Sequence, residues 1–205
     1  MEIETFPALL LPGIRHGFTT RSAGELAQLE EEMKSSYTAL GFPVERAAWG
    51  EQPHGNRVTS VDAPGRVADV DALSTATPGL PLLVRVADCG PVYFYDPVRR
   101  VIALAHSGRR GTEGNIVGET IAHLIDVHGS RAADLVVQLG PCIRPPHYEV
   151  DFAAVIGHQA ADAGVVHYHD CGRCTACDLT RYYSYRAEKG KTGRMWAALM
   201  LDDIG

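Results

Sequence analysis

One α/β domain is what this sequence predicts, and three observations predict it. The chain has 205 residues, enough for one sizeable core and too few for two comfortable ones. Hydrophobic residues make up 45% and charged residues 21%, the balance of an ordinary soluble globular protein. Short β-branched and aromatic runs bounded by turn residues alternate with stretches whose apolar residues recur at threes and fours.

Residues 14–20, IRHGFTT, alternate as a strand and end at Arg21-Ser22-Ala23-Gly24. Residues 25–40 form a helix on the spacing of Leu26, Leu29, Met33, Tyr37 and Leu40, stopped by Gly41 and Pro43, with acidic residues 30–32 on its solvated face. Residues 47–61 give a strand, a bend holding Gln52, His54 and Gly55, and a second strand. A loop-rich connection over 69–81 carries a short strand at 72–75, and the apolar run 82–86 is a buried strand that delivers Ala87-Asp88-Cys89. Residues 92–95 and 101–105 then make a hairpin about a type I turn at Asp96-Pro97-Val98-Arg99. A glycine-rich basic loop, 107–114, enters a helix over 115–127 that Asn115 caps and His128-Gly129 ends. Beyond it come a buried strand at 134–139, a helix at 152–163, a strand at 165–168, a last strand at 182–186 and an apolar edge at 195–201.

The chemistry gathers around the hairpin. Its turn sets a register in which Cys89 faces His106. Directly opposed residues have Cβ atoms roughly 4.5–5.5 Å apart, a gap that bonds of about 2.3 Å to thiolate and about 2.0 Å to imidazole can close around one metal. Gly90-Pro91 cannot complete a regular ladder, so the pairing is expected to open there. Taken singly, Cys89 reads more readily as a small buried hydrophobe, His106 as a core histidine and His54 as a surface residue of a bend, and it is the shared register beside a glycine-rich basic loop that sets a metal reading level with this for Cys89 and His106. The case for His54 rests on the hairpin pair needing a third ligand. Asp88 either orients a ligand histidine as an acceptor or caps its own turn. The loop after His106 is either plain solvated surface or an anion site, formed by Arg110 and the backbone N–H groups of Gly108 to Gly111 at a helix start.

Charge and cysteine usage narrow the partners. A formal charge of −6 argues against a general nucleic-acid or anionic-membrane binder. The first residues hold acidic side chains and only a short, proline-broken apolar run, so neither a signal peptide nor a membrane span is expected, and the expected location is the cytoplasm. Five cysteines, an odd number, suit metal or thiol chemistry in a reducing compartment better than a disulfide framework. Cys171, Cys174 and Cys177, with His167 and His169 just before them, have a spacing that a second zinc could use, yet no distant partner pair remains; folding or packing is their assigned role.

The motifs together resemble one known family. They are Gln-x-His-Gly (52–55), Ala-Asp-Cys-x-Pro (87–91), Ala-His-x-Gly-x-Arg-Gly (105–111), Leu-Gly-Pro-x-Ile (139–143), Tyr-Glu-Val (148–150), and Cys-Thr-x-Cys followed by Tyr-Ser-Tyr-Arg (183–186). In this order, from about His16 to Gly193, they resemble the laccase-domain family, also called the polyphenol oxidoreductase or purine nucleoside phosphorylase family. The resemblance implies stacked mixed β-sheets covered by helices, an αββα-type sandwich, with a metal held by His54, Cys89 and His106. It implies zinc as cofactor, with copper as the alternative. The implied reaction is phosphorolysis of purine nucleosides such as adenosine, inosine and methylthioadenosine to free base and ribose 1-phosphate, with adenosine deamination as a second activity. Arg110 and Asp88 are the expected catalytic residues, and Gln52, Gly108, Gly111, Arg21 and Arg186 the expected substrate and phosphate contacts. The expected partners are the nucleoside and phosphate, with no nucleic acid and no membrane, and the expected assembly is a monomer or weak homodimer. Where the family has Gly-Trp-Arg-Gly, this chain has Gly108-Arg109-Arg110-Gly111, which exchanges an aromatic for a charge. Competing readings are a copper-dependent phenol oxidase, a metal-free cysteine hydrolase with Cys89 as nucleophile and His106 as base, and a nucleoside-binding paralogue without turnover.

Overall fold

The structure, a computed structural model, describes residues 1–203. In chain order it runs β1 Ile3–Glu4, β2 Ile14–Thr19, α1 Leu29–Ala39, β3 Ala48–Gly50, β4 Val58–Ser60, β5 Gly65–Val67, β6 Ala72–Thr75, β7 Leu82–Val86, β8 Gly90–Asp96, β9 Val101–Ser107, α2 Arg109–Glu113, α3 Ile116–His128, β10 Val136–Leu139, α4 Phe152–Asp162, β11 His167–Asp170 and β12 Met195–Leu201. The strands form two mixed six-stranded sheets, ordered β1-β2-β12-β7-β3-β5 and β11-β10-β8-β9-β6-β4. Among the described residues, no helix is long and apolar enough to cross a membrane.

The hairpin β8–β9 is buried along its full length because it has a core on each face. Side chains alternate across a strand. Tyr93, Tyr95, Ile102 and Leu104 therefore join the core between the sheets. Val92, Phe94, Val101, Ala103 and Ala105 pack instead against α3 and α4, through residues such as Ile121, Leu124, Phe152 and Ile156. On the other side α1 buries Leu29, Met33 and Tyr37, the apolar stripe expected of it, while Leu26 and Leu40 at its flanks are exposed. Tyr37 lies against Gly17, where an added Cβ would come within 3.0 Å of its ring, and donates its phenol to the Trp196 carbonyl at 2.7 Å. The layers are thus helix, sheet, sheet, helices, as the resemblance implies.

Several elements match their expected extents closely, including β2, β6, β7, α3 and α4. Asn115 caps α3 by accepting from the Gly118 amide at 3.2 Å, and Gly129, left-handed at φ 68°, ends it.

Four local expectations are corrected. The β8–β9 connection uses four residues, 97–100, because the Asp96 carboxylate accepts from the Val98 and Arg99 amides at 2.8 and 2.9 Å and Arg100 is left-handed at φ 52°. This longer turn shifts the register, so that Pro91 faces His106 and Gly90 faces Ser107. The ladder does not open at Gly90-Pro91 either, since Gly90 has no Cβ to meet Leu139 Cδ1, which would lie 2.8 Å away. Residues 182–186 form no strand; carboxylates take their amides instead, with Glu188 accepting from Ser184 at 3.0 Å and Asp88 from Arg186 at 2.7 Å. Finally, 195–201 is no edge: β12 lies between β2 and β7, and all seven of its residues are buried.

Leu199, fully buried on β12, gives a test of this layering. Leu199→Ala is expected to lower unfolding stability by about 2–5 kcal/mol in urea denaturation, while Val98→Ala at the exposed turn changes it by no more than about 0.5 kcal/mol.

Candidate active site

Three chain segments meet where the second sheet ends. His106 is carried by β9, Cys89 directly precedes β8, and His54 sits on the link that crosses from one sheet to the other. Because of the shifted register, Cys89 does not reach His106 as its ladder partner. It follows Asp88, left-handed at φ 83°, and that bend brings its thiol to both imidazoles. The nitrogen and sulfur donors of His54, Cys89 and His106 all lie within 4.8 Å of one another, and the two rings stand at 82° with centroids 4.8 Å apart.

Asp71 holds this set together and was not found from the sequence. Its Oδ1 lies 2.8 Å from His106 Nδ1, and its two carboxylate oxygens accept the His54 and Gly55 amides at 3.0 and 2.7 Å. Its own carbonyl takes the His106 amide at 2.7 Å. Asp71 is therefore the carboxylate that orients His106, the role considered for Asp88. The only local signal for it was an acidic residue placed directly before the buried strand β6.

Burial pushes the Cys89 thiol up, but hydrogen bonds and charge from His106 and His54 outweigh it and bring it down to about 6. Burial draws His106 down, yet Asp71 and then Cys89 lift it to about 9. Both shifts favour the ion pair, a thiolate beside an imidazolium. A metal fits the same donors. Asp71 engages Nδ1 of His106 and leaves Nε2 for a ligand, as second-sphere carboxylates do. Gly108 leaves room as well, since a Cβ there would stand 2.8 Å from the Cys89 sulfur and 3.4 Å from His54 Cδ2.

The trio forms one wall of a cavity of about 580 Å³, which Tyr148, Phe152 and Tyr185 line with aromatic surface. Arg85, Arg109, Arg186 and Arg194 supply its positive charge. Asp88 and Gln52 line it too, each with its polar atoms engaged. Asp88 accepts from the Thr175 hydroxyl at 2.7 Å and from the Arg186 amide, and Gln52 exchanges two hydrogen bonds with the Arg85 backbone at 2.7 and 3.0 Å. Arg186 stacks on Tyr148 and ion-pairs with Glu149 at 3.1 Å, and Arg109 reaches the same carboxylate at 3.5 Å.

Other expected site residues fall outside the cavity. Arg110 is exposed and does not line it, because residues 109–113 form the turn α2 rather than an open loop, and that turn presents Arg109 instead. Gly111 serves close packing, as a Cβ there would lie 2.9 Å from the Gly55 carbonyl. Arg21 is tied down by the Tyr182 carbonyl, Glu188 and the face of Tyr183. The cysteine-rich loop gathers no second metal set: among the described residues, His54, Cys89 and His106 are the one group of three or more His, Cys, Asp or Glu donors that converges. Its Cys174 instead forms a β-bridge with Cys142, and its Thr175 supports Asp88.

Residues 16–154 and 150–202 match the family model described as multi-copper polyphenol oxidoreductase laccase. The chain belongs to that family. Within this laccase-like family, a purine nucleoside phosphorylase of Deinococcus radiodurans is 34% identical over 246 aligned positions, covering 98% of this chain and 95% of that protein. The purine nucleoside phosphorylase YlmD of Geobacillus stearothermophilus is 32% identical over 77% of this chain and 73% of its own length. The crystal structure of YlmD superposes with a TM-score of 0.87 at 26% identity, covering 97% of this chain and 94% of that one. A Bacillus licheniformis protein, YfiH, shares the fold with a TM-score of 0.85 at 24% identity over 92% and 93% of the two chains.

Two measurements test the site. Asp71→Asn is expected to weaken metal binding about 10–100-fold in competition with a chromophoric chelator; an unchanged affinity would remove Asp71 from the role assigned above. In metal-free protein, alkylation of Cys89 should rise as pH passes through about 6, where its thiol ionises. Peptide mass spectrometry should find Cys142, whose buried thiol is pushed up, unreactive over that range.

Proposed function

We propose that this laccase-family chain is a zinc-dependent purine nucleoside phosphorylase acting on adenosine, inosine and methylthioadenosine, with adenosine deamination as a secondary activity. The observation that carries this reading is a convergent His-Cys-His donor set in the wall of a cavity that offers both aromatic faces and arginines. A purine base needs the first kind of surface and phosphate the second. The names of the relatives that span the chain favour the same reaction.

Two imidazoles and a thiolate are a borderline donor set that suits zinc, and His54, Cys89 and His106 would hold it. When bound, zinc supplies Lewis acidity beside the reacting atoms. The chain's own residues do the rest. Tyr148, Phe152 and Tyr185 clasp the base and exclude water, and the Arg186 and Arg109 guanidiniums hold phosphate in reach of the sugar's anomeric carbon. The bond from that carbon to the base nitrogen breaks as the bond to the phosphate oxygen forms, and the proton that hydrogen phosphate gives up goes to the base, so free base and the sugar 1-phosphate leave together. Phosphate replaces Glu149, the carboxylate that both guanidiniums already face. Copper in the same donors, with phenol oxidation, is the reading that the family's descriptive name suggests.

Product chromatography decides among these. With inosine and phosphate, the zinc-bearing protein should yield hypoxanthine and ribose 1-phosphate, and Cys89→Ala should yield neither. Arg186→Ala should lower the rate about 10²–10³-fold, the usual effect of removing one positioned charge donor, whereas Arg110→Ala, off the cavity, should stay near wild type. Base release that ignores phosphate would identify a hydrolase. Zinc-bearing protein that turns over no purine nucleoside would overturn the proposal.

A further inference from the structure

Four side chains converge at the edge of the second sheet, and none of them lines the cavity. Ser60 ends β4, the edge strand, and faces Ser74 directly across the parallel ladder to β6. Their hydroxyl oxygens are 2.8 Å apart. His123 and His128 come down on this pair from α3. His123 Nε2 lies 2.9 Å from Ser60 Oγ and 3.0 Å from Ser74 Oγ, and His128 Nε2 lies 3.0 Å from each. Two ring nitrogens on one helix thus aim at the same two hydroxyls, with ring centroids 6.0 Å apart and planes at 67°.

Protons fill this arrangement only by being shared. There are five short contacts among the four atoms. Each serine brings one hydroxyl proton, and each neutral imidazole has one N–H to place on either nitrogen. With both ring protons on Nδ1, two protons serve five contacts; with both on Nε2, four serve five. In the first state at least three contacts set lone pair against lone pair, and in the second the five close only through N–H groups shared between two oxygens. A cluster with more acceptors than protons is what a cation completes.

We propose that His123 and His128 form a second metal site, selective for a borderline divalent transition ion such as zinc, with the Ser60 and Ser74 oxygens closing the donor set. Imidazole nitrogen is the ligand such ions prefer. Burial lowers both histidines, which favours the neutral imidazole that ligates. His128 stands in the last turn of α3, where the unpaired carbonyl ends favour positive charge, and Asp126 adds a carboxylate field at His123. The ion would tie the three-residue edge strand β4 to β6 and to the end of α3, protecting an edge that otherwise rests on one ladder.

The untagged protein, dialysed against micromolar free zinc, should carry two zinc ions per chain by elemental analysis. His123→Ala and His128→Gln should each carry one, and Cys89→Ala should keep the one at α3. Cadmium NMR reads the wild type without any substitution. Two resonances are expected, one in the range of thiolate ligation and one in the nitrogen and oxygen range, with the second absent from His123→Ala. One ion per chain in the wild type, two retained in the double variant His123→Ala, His128→Ala, or a cadmium spectrum without the nitrogen and oxygen resonance would each overturn the proposal.

Discussion

The buried carboxylate of Asp71 is the interaction on which the site depends. A carboxylate taken out of water is costly unless donors surround it, and this one, only 1% exposed, is met by the His106 ring and the His54 and Gly55 amides. It stands at the start of β6, the neighbour of β9, so the ladder that places His106 also places its partner. The same group reaches across to the crossing link and sets the bend that carries His54, itself left-handed at φ 67°. Two of the three donors are therefore positioned by one side chain, and the third by the turn at Asp88.

That turn repeats the principle. Asp88 adopts a left-handed backbone, a conformation of about 1–3 kcal/mol above the ordinary regions for a non-glycine residue. Its two oxygens offset this by anchoring Thr175 from the cysteine-rich loop and the Arg186 amide from the cavity rim. Glu4 does the same further out, holding Arg173, Arg181 and the Tyr182 phenol. Much of the rim has no ladder of its own and is fastened by buried carboxylates. The close approach of α2 to the trio needs bare backbone at Gly108 and Gly111, which is why that segment is rich in glycine.

The extents of β6, β7, α3 and α4 were legible because each is decided by local chemistry: a run of apolar residues of one period, a capping asparagine, a glycine that can turn left-handed. The convergence of His54, Cys89 and His106 was expected as well, though through a hairpin register that the structure corrects. The three residues do converge, but by another geometry, since Asp96 folds the turn into four residues and Cys89 arrives by the bend at Asp88. Residues 182–186 read as a strand on composition, yet their amides go to Glu188 and Asp88, partners that no local pattern reveals.

The sequence by itself determined the α/β class and the extents of α3 and α4, because periodicity and capping act over a few neighbouring positions, while the layering was implied by the order of the family motifs. Only the tertiary structure decided that Asp71 rather than Asp88 orients His106, that Arg109 rather than Arg110 enters the cavity, and that β12 runs through the middle of a sheet rather than along its edge. Each of these depends on which segments lie side by side. Strand order and register are settled by burial summed over both sheets, and a carboxylate finds its imidazole across 35 positions of chain only after that order is set.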